Sequence, residues 1–280
     1  MTKKLLIGFI GQGFIGKNYA NDFKKRGFNI IRYDLEKYKN NKNKIKNCDI
    51  VFIAVPTPTT PRGFDLKILK SVFSLIGKNK IAIIKSTIKI GTTRNLQKKF
   101  KKITIMHSPE FLTEKNAAKD AKSPQKNIIG ILSLNNKTLI KKAGIILNIL
   151  PTSPYNKIIL AEEAELIKYG NNSFLYFKVL FFNILYDLAK KHNLNYENIK
   201  NALIKDSRIG PSHTNIKDSG GRGAGGHCFL KDFEIFINML KDVNLKKQTK
   251  VCKELRNLNL DYLINSNKDI DLIKSIYKNK

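Results

Sequence analysis

The chain has 280 residues, enough for about two domains, and 42% of them are hydrophobic. Its formal net charge of +30 comes mainly from lysines spread along the whole length, so we expect a solvated basic surface and no dedicated nucleic-acid site. No stretch reaches the roughly 20 apolar residues that span a bilayer, and three scattered cysteines make no disulfide framework, so we expect a cytoplasmic protein without membrane contact.

The first predicted element is a short buried strand at residues 5–11 that runs into a glycine-rich turn and then a helix. The turn consists of Gly11, Gln12, Gly13, Phe14, Ile15 and Gly16. A second strand ends in Asp34, 18 residues beyond Gly16. This order indicates a dinucleotide site, in which glycines admit the pyrophosphate and the acid accepts a hydrogen bond from a ribose hydroxyl. We therefore predict NAD as the cofactor, although nearby basic residues leave NADP open.

Further buried strands are predicted at residues 49–56, 81–87 and 103–106. In an open parallel sheet, ligands bind at the carboxyl ends of the strands. The polar residues at or just beyond these ends are Thr57, Thr87, Glu110 and Glu114. As a set they indicate a site, whereas each one alone could be an ordinary turn or cap residue.

From about Ala161 the pattern changes to one long helix that continues to Lys191 without a proline. Its apolar stripe consists of Leu166, Phe174, Phe177, Phe181, Leu185 and Leu188. Such a stripe predicts a buried helix, packed against a second subunit. Lys168 and Asn172 are four residues apart and share one face, which fits either a site or an ordinary surface pair.

A glycine-rich stretch at residues 220–226 leads to Cys228 and to a helix predicted from about Lys231 to Leu240. Glycines let the backbone approach a ligand, and a thiol just before a helix N-terminus is biased toward thiolate. These residues alone leave two interpretations open, a nucleophilic cysteine or a flexible surface loop ending in a half-buried one.

The elements together predict an α/β protein with an N-terminal Rossmann-type doubly wound sheet, followed by an all-α central domain with one long helix. The predicted boundaries are 1–155 for the NAD-binding domain and 156–245 for the helical, dimerising domain. Residues 246–280 are predicted to form a short helical tail.

Seven motifs, in order, resemble those of the UDP-glucose/GDP-mannose 6-dehydrogenase family, most closely its UDP-glucose 6-dehydrogenases. They are GFIGQGFIG at 8–16, VFIAVPTP at 51–58, KSTI with GTT at 85–93, SPEFLTEKNAAKD at 108–120, AELIKYGNNSF at 164–174, DSRIGPSH at 206–213 and GAGGHCFLKD at 223–232. The resemblance covers about residues 4–245. It implies a four-electron oxidation of the C6 alcohol of a nucleotide sugar to a carboxylate, with two NAD⁺ and a cysteine thioester.

The resemblance also implies the catalytic roles. Cys228 would attack the C6 aldehyde, and Lys168 and Asn172 would stabilise charge on the C6 oxygen. Asp232 would hold or deprotonate a water molecule with Thr87. Glu110 would be the base for thioester hydrolysis.

The remaining implied roles concern binding. The cofactor-binding set is Gly11, Gln12, Gly13, Phe14, Ile15, Gly16, Asp34, Thr57, Ser86, Thr87, Glu114 and Lys231. The substrate-binding set is Glu110, Phe111, Lys168, Asn172, Arg208, Gly225, Gly226 and Cys228. We assign no metal site.

Two departures from the family pattern keep alternatives open. The family usually carries a C-terminal nucleotide-sugar-binding domain that we expect to be missing here, so a separate chain supplying it is one hypothesis. Ala224 stands where the family usually has an aromatic residue, and Lys115 where it usually has glycine. The alternatives are a single-hydride dehydrogenase of a smaller sugar or hydroxyacid, and a non-catalytic, shortened NAD-binding relative.

Overall fold

The computed structural model describes residues 5–60 and 63–277. The strands are β1 (Leu6–Ile10), β2 (Asn29–Tyr33), β3 (Ile50–Ile53), β4 (Thr59–Thr60), β5 (Gly63–Phe64), β6 (Ile81–Ile84), β7 (Thr104–His107), β8 (Lys126–Ile131) and β9 (Tyr155–Leu160). The α-helices are α1 (Phe14–Lys25), α2 (Lys67–Val72), α3 (Thr92–Lys99), α4 (Ala117–Lys122), α5 (Lys137–Ile149), α6 (Ala161–Lys191), α7 (Tyr196–Leu203), α8 (Gly226–Asp242), α9 (Lys246–Asn265) and α10 (Ile270–Ile276). Short 3₁₀ helices cover Lys39–Asn47, Phe73–Leu75 and Glu114–Asn116. Within the described ranges, no helix combines the length and the apolar character that crossing a bilayer requires.

Seven strands form one sheet in the order β2-β1-β3-β6-β7-β8-β9, and only the β7–β8 pairing is antiparallel. The register aligns the last residues of five neighbouring strands, which are Tyr33, Ile10, Ile53, Ile84 and His107. The loops that follow these strands therefore leave from one edge of the sheet. This is the edge where a doubly wound sheet binds its ligand.

Both faces of the inner strands of this sheet are buried. Ile7 and Phe9 belong to one apolar cluster, whereas Ile10 belongs to another, because successive side chains of a strand point to opposite faces. Phe9 stacks on Phe52 and meets Phe23 of α1 edge-on, with ring centroids 5.3 Å apart in both pairs. Burial on both faces explains why the strands are continuous apolar runs, and it confirms the predicted fold class.

The chain divides into two compact units. The first contains the described residues up to Pro58 together with Phe64–Lys168, and the second contains the described residues from Tyr169 onward with β4 and Gly63. The core of the second unit joins α6, α8 and α9, where Tyr176 stacks on Phe233 with ring centroids 3.9 Å apart. The 31-residue length of α6 matches the long helix that the sequence predicts.

Helix α8 begins at Gly226, five residues before the predicted start at Lys231. The prediction that Cys228 lies just before the helix was therefore wrong, since it lies in the first turn. Gly225 is the extended N-cap residue (φ −108°, ψ −174°), and Gly226 has φ +83°. A glycine can open the helix in this left-handed conformation, which other residues rarely adopt.

The turn after β1 depends on the absence of side chains at two positions. A Cβ on Gly11 would lie 2.3 Å from the carbonyl oxygen of Ala54, and Gly11 has φ +86°. A Cβ on Gly16 would lie 1.9 Å from the carbonyl oxygen of Gly11. Gly13 differs, because its φ is −66° and no atom lies within 4 Å of its Cβ position.

We expect Gly11→Ala to lower the free energy of unfolding by about 2 kcal/mol or more, because it adds both a steric clash and left-handed strain. Gly13→Ala is the matched control and should cost less than about 1 kcal/mol, the usual scale of a helix N-cap change. Urea unfolding followed by circular dichroism measures both. Equal losses for the two variants would contradict this account of the turn.

Candidate active site

The turn that leads into α1 ends at a helix N-terminus without a side-chain cap. Gly13 is the N-cap residue of α1, and no side chain caps this helix end, so its backbone N–H groups are open to an anion. The side-chain oxygen Oε1 of Gln12 is buried and has no hydrogen-bond partner among the described residues. Both observations fit a bound pyrophosphate and ribose. Phe14, 41% exposed, begins the helix, and Ile15 is half-buried beside it.

Asp34 directly follows β2, as the sequence predicts for the acid that binds a ribose. Its Oδ1 accepts hydrogen bonds from the backbone N–H groups of Glu36 (3.1 Å) and Tyr38 (2.8 Å). Both bonds fall on one oxygen and fix the orientation of the carboxylate. The second oxygen, Oδ2, can still accept from a ligand hydroxyl.

The loops after β3 and β6 are tied together by their polar residues. The Thr57 hydroxyl donates to the carbonyl oxygen of Thr87 at 2.8 Å, and the Ser86 hydroxyl donates to that of Val55 at 2.7 Å. Thr57 and Ser86 are buried, whereas Thr87 is half-buried. Thr57 and Ser86, two of the predicted cofactor-binding residues, therefore hold the two loops together, whereas Thr87 remains partly exposed.

A buried ion pair joins the loop after β7 to α6. Lys168 Nζ is 2.9 Å from Glu110 Oε1, and each residue is 5% exposed. Glu110 Oε2 accepts from the backbone N–H of Leu112 at 2.9 Å. Two ammonium groups lie near the ring of Phe111, with Lys126 Nζ 3.9 Å and Lys168 Nζ 5.8 Å from its centroid. Three predicted site residues, Glu110, Phe111 and Lys168, are therefore in one cluster.

Lys85 is a second buried cation that contacts the loop after β7, and the sequence analysis did not assign it to the site. Lys85 is 3% exposed, and its Nζ donates to Ser108 Oγ at 3.1 Å and lies 4.3 Å from the ring centroid of Tyr19. Burial lowers the pKa of Lys85 to about 8, and the charge of Glu110 partly opposes that shift. The signal for this residue was present, because Lys85 directly follows the four buried apolar residues of β6.

Glu165 is another polar residue that the sequence analysis missed. It is fully buried on α6 and accepts hydrogen bonds from the backbone N–H of Gly91 (2.5 Å), and from both N–H (2.8 Å) and hydroxyl (2.6 Å) of Thr93. Burial raises its pKa, and these three bonds act in the opposite direction. Glu165 therefore anchors the first turns of α6 to the N-terminus of α3, one helical turn before Lys168.

In the second unit, Asn172 and Asp232 form a buried polar pair. Asn172 Nδ2 donates to Asp232 Oδ2 at 2.6 Å, and the two residues are 7% and 2% exposed. Cys228 lies one helical turn before Asp232 on α8 and is exposed. Lys231, the predicted cofactor-binding residue, is half-buried on the same helix. The continuous helix α6 carries Lys168 and Asn172 one turn apart, as the sequence predicts.

The predicted substrate residues of the loops lie in different surroundings. Arg208 is exposed and pairs with Asp206, two residues before it, at 2.6 Å. Gly226 has open space where a Cβ would be, but a Cβ on Gly225 would lie 2.2 Å from Oδ2 of Asp269. The side chain of Glu114 lies outside the described residues.

Ala224, which stands where the family usually has an aromatic residue, is enclosed by side chains of its own unit. It is 1% exposed and belongs to the core between α6, α8 and α9. Its backbone N–H and carbonyl are both bonded to Asn259. The space that an aromatic residue would need is already filled by packed side chains.

Comparison with known proteins agrees with this organisation. Residues 36–143 match the model of the UDP-glucose/GDP-mannose dehydrogenase family, NAD binding domain, and residues 162–261 match the central domain of the same family. The UDP-glucose 6-dehydrogenase of Campylobacter jejuni is 34% identical over 265 residues, which cover 81% of this chain and 65% of that protein. The chain spans between 30% and 65% of the length of such curated relatives.

Solved structures show the same fold. A UDP-glucose dehydrogenase from Pyrobaculum islandicum superposes with a TM-score of 0.78 at 24% identity, over 92% of this chain and 69% of that one. A 3-hydroxyisobutyrate dehydrogenase from Mycobacterium tuberculosis superposes with a TM-score of 0.68 at 13% identity, over 92% and 94% of the two chains. At these identities the likeness concerns the fold alone.

The lowered pKa of Lys85 predicts a pH-dependent stability. The folded-state pKa is about 8, below the ordinary value of about 10.4 in an unfolded chain. Between these values the unfolded chain holds a proton that the folded protein has released, so the stability contributed by Lys85 rises with pH by at most about 3 kcal/mol. Lys85→Met lacks this rise.

Urea unfolding of the wild type and Lys85→Met at pH 7.5, 9 and 10 measures the effect. Subtracting the two free energies of unfolding at each pH cancels the contributions of the other titrating groups. We expect the wild type to gain stability relative to the variant as pH rises. A difference that stays constant with pH would rule out a buried, titrating Lys85.

Proposed function

We propose that this chain, which belongs to the UDP-glucose/GDP-mannose dehydrogenase family, oxidises the C6 alcohol of a nucleotide sugar to a carboxylate in two steps. The main support is the arrangement on α8, where the exposed thiol of Cys228 precedes the buried Asp232 by one turn and Asp232 binds Asn172. A nucleophile, a carboxylate and an amide donor are the groups that a covalent oxidation of an aldehyde requires. UDP-glucose is the favoured substrate, because the named relatives include UDP-glucose 6-dehydrogenases.

NAD⁺, when bound, supplies the acceptor for each of the two hydrides. The open N-terminus of α1 would hold its pyrophosphate, the Gln12 Oε1 would accept a hydrogen bond from a ribose hydroxyl, and Asp34 would bind its adenosine ribose. A carboxylate at position 34 favours NAD over NADP, because it would repel a 2′-phosphate.

In the first oxidation, C6 changes from an alcohol to an aldehyde, and the hydroxyl proton must leave. Lys168 and Asn172 would donate hydrogen bonds to the C6 oxygen, which carries negative charge as the hydride departs. Glu110 keeps the ammonium group of Lys168 fixed at 2.9 Å. The hydroxyl proton would pass to a water molecule, and the family resemblance assigns Thr87 and Asp232 the role of holding or deprotonating it.

In the second oxidation, the Cys228 sulfur adds to the aldehyde carbon and forms a thiohemiacetal. Loss of the second hydride from C6, with release of the hydroxyl proton of the adduct to solvent, would convert this adduct to a thioester. Water then attacks the thioester carbon, the carbon–sulfur bond breaks, and the thiol is restored as the carboxylate forms. Glu110 would take the proton of that water, and Arg208 would bind the nucleotide sugar.

The proposed chemistry predicts two NADH for each sugar oxidised by the wild type. Cys228→Ala removes the only group proposed to form the covalent adduct, so we expect at most one NADH per sugar and a released aldehyde. Single-turnover absorbance with UDP-glucose, GDP-mannose and 3-hydroxyisobutyrate measures both stoichiometry and substrate class.

The matched control is Cys252→Ala, because Cys252 is a buried core residue of α9 and should leave the ratio at two. Lys168→Ala should lower the rate of the first hydride transfer by about 10²- to 10³-fold, the usual effect of losing an oxyanion donor. One NADH per substrate from the wild type would instead favour the single-hydride dehydrogenase whose fold this chain shares. No NADH with any of these substrates would favour a non-catalytic protein.

We also propose that the protein forms a homodimer through α6. The residues Phe174, Phe181 and Leu188 are 64%, 56% and 56% exposed in the single chain. They recur at spacings of seven residues, so they form one apolar stripe on the helix. Large apolar groups repeated along one face are typical of a surface that another subunit covers.

We expect Phe181→Glu to shift the protein from dimer to monomer, because it introduces a charge at the centre of this stripe. The control is Lys191→Glu, a charge change at the end of the same helix. Sedimentation velocity of both variants measures the state. A wild type that remains a monomer at high micromolar concentration, or a dimeric Phe181→Glu, would overturn the proposal.

A further inference from the structure

The glycine-rich loop before Cys228 is held by residues that follow it in the chain by about 35–45 positions. We name Asn259, Ser266, Lys268 and Asp269 the loop clamp. Asn259 Oδ1 accepts from the backbone N–H of Ala224 at 2.7 Å, and its Nδ2 donates to the carbonyl of the same residue at 3.0 Å. Lys268 Nζ donates to the carbonyl of Gly223 at 3.0 Å. Successive peptide groups of the loop are therefore bound to one clamp.

Asp269 reaches the helix that carries Cys228. Its Oδ2 accepts from the backbone N–H of Gly226, the first residue of α8, at 2.7 Å. The approach is close enough that a Cβ on Gly225 would lie 2.2 Å from that oxygen and 2.5 Å from Cε of Lys268. The absence of a side chain at Gly225 therefore leaves room for the side chains of Asp269 and Lys268.

The backbone of Asp269 is unusual for its position. It is the N-cap residue of α10, where an aspartate ordinarily binds the N–H groups of its own helix, yet its side chain makes no such bond. It has φ +56°, and Asn267 has φ +53°, so two non-glycine residues adopt the left-handed conformation within three positions. Such strain is retained where the surrounding structure requires it. The carboxylate is thus directed to α8 instead of α10.

This contact changes the electrostatics around the thiol. A helix N-terminus carries partial positive charge and attracts anions, and Cys228 lies in the first turn of α8. Asp269 places its carboxylate at that end of α8. Lys268 is buried beside it, and burial lowers the pKa of Lys268 while Asp218 and Asp269 oppose that shift.

We propose that Lys268 and Asp269 are positioning residues for Cys228. Lys268 fixes the loop, and the Asp269 carboxylate occupies the anion-attracting end of α8, so that neutral electrophiles reach the thiol more readily than anionic ones. For a nucleotide sugar this would favour approach of the uncharged C6 carbonyl and disfavour docking of the diphosphate at α8. The inference rests on the proposed role of Cys228 as a nucleophile. Both residues lie beyond the part of the chain that matches the family's central domain, which ends at 261.

Alkylation of the native protein by iodoacetamide and by iodoacetate tests the charge, because the two reagents differ in net charge and need neither substrate nor NAD. Rates at Cys228 are measured by mass spectrometry, with Cys228→Ser as the blank. Asp269→Asn keeps a hydrogen-bond acceptor and tolerates the left-handed conformation. We expect it to raise the iodoacetate rate relative to the iodoacetamide rate by about two- to fivefold.

The matched control is Asp271→Asn, which removes a carboxylate from the lining of the same cavity of about 660 Å³ that His227 and Asp269 border. It should leave the ratio of the two rates nearly unchanged, because exposed charges beyond direct contact are screened. An unchanged ratio in Asp269→Asn, or an equal change in both variants, would overturn the electrostatic role.

Hydrogen exchange of Lys268→Met tests the second half of the proposal. We expect faster exchange of the backbone amides at residues 222–226, with α9 exchanging as in the wild type. Unchanged exchange at 222–226 would overturn the positioning role of Lys268, and if this variant does not fold, Asp269→Asn alone decides. Two NADH per sugar from Cys228→Ala would refute the proposed function while leaving the alkylation result intact.

Discussion

Every charged or amide group that α6 buries must find a partner, and this requirement organises the candidate site. Glu165, Lys168 and Asn172 are each less than 8% exposed on this helix. An unpaired buried charge would cost several kcal/mol, so each group is matched by a specific partner: the N-terminus of α3, Glu110 and Asp232. The same contacts that satisfy these groups also fix the directions in which they face.

The sheet is the second part of the structure that positions residues of the candidate site. Five strands end in register, and their loops bring the glycine turn, Asp34, Thr57, Lys85 and Glu110 to one edge. Structural partners limit the freedom of these groups: for example, Thr57 holds the loop after β6, and Lys85 holds the loop after β7. Loops that are tied by such internal hydrogen bonds lose less conformational entropy when a dinucleotide binds.

The cysteine loop follows a different principle. Its glycines provide unusual backbone angles and close approach, but they contribute no side chains that could hold the loop in place. Order comes from the loop clamp, whose members bond to backbone groups of residues 222–226. The glycine-rich segment forms a defined loop because side chains distant in sequence satisfy its peptide groups. Asp269 in addition places a carboxylate at the N-terminus of the helix that carries Cys228.

Local patterns were sufficient for the fold class, the glycine turn and the length of α6. Continuous apolar runs specify strands buried on both faces, and a proline-free apolar stripe specifies a long helix; both signals are confined to neighbouring residues. The start of α8 was placed too late, because the cap of Gly226 comes from Asp269, 43 residues away. Lys85 was overlooked although its position directly after β6 gave a local signal. Glu165 and the loop clamp were missed for the same reason as the start of α8. Their importance comes from hydrogen bonds and burial between segments far apart in sequence, and only the tertiary structure brings those segments together.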